Sequence, residues 1–293
     1  MAVSLLKITF HLLHLFPVRL LGALGAGIGR LGFYLLAKHR RITLRNIKRA
    51  YPQHSNAWQQ RIARESFAEL GRSMLELPYV FLGTREALLA CVHVEGAEEL
   101  AHTMRHQGVV LAAAHHSNWE LGGLMASILI EPFAMIYRPM KNDGMDQFLK
   151  KCRERFGMKT YSRFEGIRWL PRMLRDRGCV AIMVDQHMSQ GMKIPFMGHL
   201  ACTTTLPAMF ALRQQTPIYS ISLHRIGHEF RFKLSIQAID LPPPTKKREH
   251  DQYRIMEAVG KQIAHIIDER PELWLWLHKR WWILEHNPDA MQS

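Results

Sequence analysis

The chain has 293 residues, 47% of them hydrophobic and 22% charged, which excludes a disordered protein and suits one large globular core or at most two. Its formal charge of +14 implies an anionic partner: nucleic acid, an acidic membrane surface, or an acidic protein or substrate. The cysteines at 91, 152, 179 and 202 form no Cys-x-x-Cys pair, which argues against a cysteine zinc module and fits free thiols in a reducing compartment.

Residues 3–37 are mostly apolar, broken by Lys7, Arg19 and Arg30. No uncharged stretch reaches the ~18 residues of a clean span, and nothing basic precedes the apolar run as in a signal peptide. Leu12, Leu13, Leu15, Phe16, Leu20 and Leu21 make the segment apolar nearly all round, and Lys38, Arg40, Arg41, Arg45, Lys48 and Arg49 follow it. The order predicts a membrane anchor helix over 1–37 with its carboxyl flank on the cytoplasmic side. Spanning and in-plane placements both fit. Removing the anchor is expected to release residues 38–293, a separate domain.

Residues 42–89 read as helical. Beyond about Ala90 short β-rich runs (109–114, 133–138, 179–184, 217–223, 230–239) alternate with helical stretches (120–130, 145–156, 204–214, 251–269). Residues 166–177 read as a helix kinked at Pro171. The alternation predicts an α/β fold with a mostly parallel mixed sheet flanked by helices, the last two strands joined through Gly227.

An apolar strand-like run ends at His115, and Glu120 follows where a helix can start, the spacing of a base and its orienting carboxylate. His93/Glu98 and His224/Glu229 share that spacing but lie in polar or turn-like surroundings. In open α/β sheets ligands gather at the carboxyl ends of strands. Arg138 ends the second run, and Asp185 and Gln186 end the third. Each has a structural reading beside the functional one: Arg138 pairing with Asp143 or Asp146, and Asp185 capping a turn. Thr203, Thr204 and Thr205 read as an N-cap, or as an anion site at a helix start. Trp274, Trp276, Trp281 and Trp282 read as packing or membrane-interface residues, with Lys279 and Arg280 placed to meet phosphate.

His115-His116-Ser117-Asn118-Trp119-Glu120 resembles the His-x-x-x-x-Asp/Glu block of glycerolipid-type acyltransferases, in the branch of the bacterial lipid A late acyltransferases. Tyr137-Arg138-Pro139, Val184-Asp185-Gln186, Ile194-Pro195-Phe196-Met197-Gly198, Cys202-Thr203-Thr204-Thr205 and Trp274-Leu275-Trp276-Leu277-His278-Lys279-Arg280-Trp281 are similar to further blocks of that branch, in order, as is the apolar start with Arg40, Arg41 and Asn46. His116, Ser117 and Met197 depart from it.

The resemblance implies acyl transfer from an acyl carrier protein thioester to a hydroxyl of a lipid A precursor. His115 would be the general base, oriented by Glu120. Asn118, Arg138, Asp185, Gln186, Thr204 and Arg280 would contact substrate. No cofactor, metal or nucleic acid is implied. The expected partners are the carrier protein, an anionic lipid acceptor and the bacterial inner membrane. Another lipid acceptor (glycolipid, aminolipid or biosynthetic intermediate), a metal-dependent hydrolase using His115, His116 and Glu120, and a non-catalytic lipid-binding protein remain alternatives.

Overall fold

A computed structural model describes residues 2–281; Trp282 lies outside them. The apolar start forms two helices, α1 (Ala2–His14) and α2 (Val18–Leu35), because Pro17 supplies no amide hydrogen and restarts the chain at an N-terminal first turn. Then come α3 (Ala37–Ala50), α4 (Asn56–Leu82) and α5 (Arg85–Ala90).

The α/β part follows in chain order: β1 (Val92–Glu95), α6 (Ala97–Met104), β2 (Val109–Ala113), α7 (Trp119–Leu129), β3 (Phe133–Tyr137), α8 (Asp143–Glu154) and β4 (Lys159–Ser162). After these come α9 (Leu170–Arg175), β5 (Cys179–Met183), β6 (Met192–Phe196), β7 (His199–Thr203), α10 (Leu206–Gln214), β8 (Ile218–Arg225), β9 (Phe232–Ala238), α11 (Arg248–Glu269) and a 3-10 turn at Pro271–Leu273.

The seven-stranded sheet has the order β1-β9-β8-β2-β5-β3-β4. All pairs are parallel except β8–β9, so the mixed sheet matches the sequence expectation, and Gly227, with φ 62°, lies in the β8–β9 connection. Val109–Ala112 of β2 are fully buried because helices cover both faces. α10 and α11 contribute to the core on one side, and α7 and α8 to the core on the other. A separate antiparallel hairpin, β6–β7, turns at Met197 and Gly198, both with positive φ. Residues 166–177 do not form one kinked helix: Gly166 (φ 76°) sits in a turn, and Pro171 opens the short α9 instead of bending a longer one.

α2 is not apolar all round in its surroundings. Leu21, Gly22, Gly25, Ala26, Gly29 and Phe33 are buried. A Cβ on Gly25 would strike the Gly71 carbonyl of α4, and one on Gly29 the Phe67 carbonyl, so the two helices pack backbone to backbone. The opposite face leaves Leu20, Leu24, Ile28 and Leu31 exposed at helical spacing, and α1 exposes Leu5, Ile8 and Leu12. By length and composition α2 suffices to cross a bilayer. Its inner face packs against α4.

Candidate active site

The carboxyl ends of β2, β5, β3 and β4 share one edge of the sheet. Register aligns Ala113 of β2 with Met183 of β5, so His115 and Asp185, two residues further along each strand, come to lie side by side. His115 donates from Nδ1 to Asp185 Oδ1 at 2.9 Å, and its backbone N–H donates to Oδ2 at 2.8 Å. Trp274 Nε1 donates to the same Oδ2 at 2.8 Å. Asp185 is completely buried, and burial alone would raise its pKa. The neighbouring His115 charge and the donated hydrogen bonds overcome this and hold the carboxyl well below the usual range.

For His115 the balance has the opposite sign. Burial disfavours the imidazolium, but the Asp185 charge and hydrogen bond, with a contribution from Glu120, raise its pKa. With Nδ1 protonated toward Asp185, Nε2 carries the lone pair, and the Gln186 side-chain amide donates to it at 3.3 Å. This is the geometry of a general base with a buried orienting carboxylate.

The carboxylate that meets Nδ1 is Asp185, where the five-residue spacing had suggested Glu120. Glu120, in the first turn of α7, instead accepts two hydrogen bonds from Arg153 of α8, at 2.8 and 2.5 Å. Arg153 engages both Glu120 oxygens, while the Glu120 charge still favours the His115 imidazolium. Asp185, expected to touch substrate, is completely buried and is not part of the lining of the cavity at His115.

The turn between His115 and α7 is held from below. Ser117 sits at φ 52°, in the left-handed region that favours glycine, and Ser117 and Asn118 are both buried. Asn118 caps α7 by accepting from the Leu121 N–H, and its buried side chain is not part of that cavity lining either. Beneath the turn lies a buried four-charge group. Arg225 donates to Glu69 at 2.8 Å and to Glu76 at 2.6 and 2.9 Å, and Arg72 donates to Glu69 at 2.9 Å. The Ser117 hydroxyl donates to Glu69 and the Asn118 amide to Glu76. Burial, aided by the nearby Glu69, outweighs the pull of Arg225 and leaves Glu76 pushed up to about 7.

His115 opens into a cavity of about 980 Å³, at the upper end of small-ligand pockets (~300–1,000 Å³). Its depth runs between α7 and the sheet, lined by Leu111, Ala113, Ala126, Phe133, Met135 and Met158. Gly123 of α7 lines it too, and a Cβ there would meet nothing within 4 Å. Over the four residues from Leu111 to His115 a strand advances roughly 13 Å, so the apolar part is a deep slot. Glu120, Arg138, Arg153, Arg163, Gln186 and Thr204 supply polar lining.

Arg138 thus lies at the cavity, as expected of a strand-end cation, beside Arg163, which follows β4 where the register pairs Tyr137 with Ser162. Thr204 also lines the cavity, while its hydroxyl accepts from the Leu206 N–H. Arg280 does not reach the cavity. It is 1% exposed and donates to the carbonyls of Gln186 and Cys202 and the hydroxyl of Thr203, tying strand ends together. Burial lowers its pKa to about 10. Trp274, Trp276 and Trp281 are core residues and not interface ones.

His116 is buried, its two ring nitrogens near the carbonyls of Leu223 and Arg270, and burial beside His224 lowers it to about 3. His116 and Glu120 are committed elsewhere, and among the described residues no three His, Cys, Asp or Glu side chains gather as metal ligands.

The family model described as bacterial lipid A biosynthesis acyltransferase matches residues 1–282. The chain belongs to this family. Its relatives include a lipid A biosynthesis palmitoleoyltransferase of Escherichia coli (strain K12), 24% identical over 268 residues, covering 90% of this chain and 85% of the relative. The lipid A biosynthesis lauroyltransferase of the same organism is 22% identical, covering 94% and 89%. The lipid A biosynthesis myristoyltransferase is 23% identical, covering 89% and 79%. The chain is an acyltransferase.

Sequence reasoning reached His115, Arg138, Asp185 and Gln186 through the strand ends and Thr204 through a helix start. It did not find Arg153, Arg163, the Trp274 bond to Asp185, or the charges under the turn. Glu69, Arg72 and Glu76 do repeat at helical three- and four-residue spacing, the one sign available in the sequence for that group.

Proposed function

We propose that this acyltransferase moves a fatty acyl group from an acyl carrier protein thioester to a hydroxyl of a lipid A precursor. The observation that carries the reading is His115, backed by Asp185, at the head of an apolar slot deep enough for an acyl chain. The acceptor hydroxyl approaches Nε2 and attacks the thioester carbonyl, forming the C–O bond as its proton passes to His115. Asp185 keeps Nδ1–H in place and balances the imidazolium, and Glu120 adds to that balance. The tetrahedral oxyanion collapses, the C–S bond breaks, and the departing thiolate takes the proton back. The products are an ester and a free carrier thiol. Base catalysis of this kind contributes about 10²–10⁴-fold. The Trp119 and Glu120 amides, which precede the Leu121 and Gly122 amides that bond Asn118, are donors for the oxyanion.

Arg138 and Arg163 bind the phosphate or sugar acid of the acceptor. The exposed faces of α1 and α2, with the basic α3 beside them, rest in the cytoplasmic surface of the inner membrane. The outward apolar stripe and the buried inner stripe of α2 favour an in-plane helix over a spanning one. The test is mass spectrometry of products formed from a lipid A precursor and a panel of acyl-carrier donors, with His115→Ala as control. Acylation of the precursor by wild type and its loss in the variant are expected. A variant as active as wild type removes the mechanism, and an untouched precursor removes the acceptor.

A further inference from the structure

The loops at the carboxyl edge of the sheet carry an unusual set of side chains. Phe164 is 71% exposed, Ile167 37%, Met188 47% and Met140 40%. They come from three separate connections: Met140 between β3 and α8, Phe164 and Ile167 between β4 and α9, Met188 between β5 and β6. Single exposed apolar residues are ordinary on a protein surface. These are not scattered. Phe164, Ile167 and Met188 all line the cavity that His115 opens into, and Arg138 and Arg163 line it with them. The Arg163 guanidinium lies over the Phe164 ring, 5.1 Å from its centre.

We propose that this rim is a second bilayer contact, which sets the cavity mouth into an anionic lipid surface so that the acceptor enters without passing through water. The inference rests on the membrane-bound acyltransferase reading above and adds to it a contact outside the amino-terminal helices. Apolar tips interleaved with arginines match the two layers of a membrane interface: acyl chains for the tips, headgroup phosphates for the guanidiniums. The rim also continues the apolar face of α1. Val3 packs against Gly144 at the start of α8, four residues beyond Met140, and Lys7 lies over the Phe148 ring at 5.8 Å. A bilayer touching Leu5 and Ile8 is thereby brought to the β3–α8 connection. An acidic carrier protein would find the arginines but has less use for four apolar tips.

The experiment places an environment-sensitive thiol fluorophore on the full chain through Phe164→Cys. Wild type is labelled in parallel to measure reaction at the partly exposed Cys91, and Lys261→Cys on α11 serves as a control position. Vesicles of phosphatidylcholine with phosphatidylglycerol should raise the Phe164→Cys emission several-fold, and lipids spin-labelled in the acyl chain should quench it. The Lys261→Cys emission should stay unchanged. In the Arg138→Ala/Arg163→Ala background the increase should need a larger anionic lipid fraction. A Phe164→Cys probe that remains in water on vesicle-bound protein overturns the proposal, as does a response to acyl carrier protein but not to vesicles. Insertion is read without turnover. An active enzyme with a hydrated rim therefore defeats this inference alone, and an inactive one with an inserted rim defeats only the acyl-transfer reading.

Discussion

Replacing Asp185 by asparagine tests the base assignment more sharply than replacing the base itself. Asp185 accepts three hydrogen bonds, at 2.9 Å from the His115 ring and at 2.8 Å from both the His115 backbone and Trp274. Asparagine has one acceptor oxygen. If the oxygen keeps the two donors on Oδ2, the NH₂ faces Nδ1 and forces the imidazole into the tautomer with its proton on Nε2, which cannot accept from the acceptor hydroxyl. If the oxygen faces Nδ1, two buried donors lose their acceptor at about 1–3 kcal/mol each.

The first arrangement costs kcat up to the full base contribution, about 10²–10⁴-fold, with KM within a few-fold of wild type, whereas the second keeps the tautomer and shows as lost stability. The pH profile adds a second readout. Asp185 raises the His115 pKa against the opposing effect of burial, and the reaction needs the neutral imidazole, so activity climbs as pH rises through that raised value. Without the carboxylate the pKa falls, and the acid limb moves to lower pH while the plateau drops. Acyl transfer followed by product mass across pH measures both. An Asp185→Asn enzyme with wild-type turnover and an unmoved acid limb, alongside a Glu120→Gln enzyme that is dead but folded, would return the orienting role to Glu120.

Gly123→Leu places a side chain in open space inside the slot, where no atom lies within 4 Å of the new Cβ. Donor preference should shift to shorter acyl groups while helix propensity adds up to about 0.8–1.0 kcal/mol of stability, and an unchanged donor profile would mean that the tail lies elsewhere. Gly29→Ala drives a methyl into the Phe67 carbonyl of α4, so thermal denaturation in detergent should reveal about 1–3 kcal/mol of destabilisation, and an unaltered melting temperature would refute the close helix contact. Arg280→Met removes three hydrogen bonds from a buried cation that ties strand ends together. It should lower stability by about 3 kcal/mol or more and leave the acceptor KM of the folded enzyme alone; a raised KM at full stability would restore Arg280 as a substrate contact.

Much of the site was legible because parallel strands end at one edge. Once 109–114, 133–138 and 179–184 are read as strands, His115, Arg138 and Asp185 must meet. Which carboxylate serves the imidazole was not legible. The interval from His115 to Glu120 is local, but the competition for Glu120 comes from Arg153, 33 residues away on another helix. That Asp185 reaches Nδ1 is a matter of strand register, which a sequence does not print. The break at Pro17 was visible in the residue itself, yet the apolar composition on both sides outweighed it. That α2 is buried on one side depends on Gly25 and Gly29 meeting Gly71, a match between distant segments.

The charges beneath the catalytic turn carry an evolutionary consequence. Glu69, Glu76, Arg72 and Arg225 satisfy one another's charges and hydrogen bonds only as a group, and each lies at 6% exposure or less. Losing one alone strands a bare charge in the interior, at about 3–5 kcal/mol, a large part of a typical domain's margin. Swaps among homologues at these four sites should therefore arrive in matched sets, with carboxylate and guanidinium vanishing in tandem. Surface lysines and arginines, such as those of α3, are free to drift one at a time.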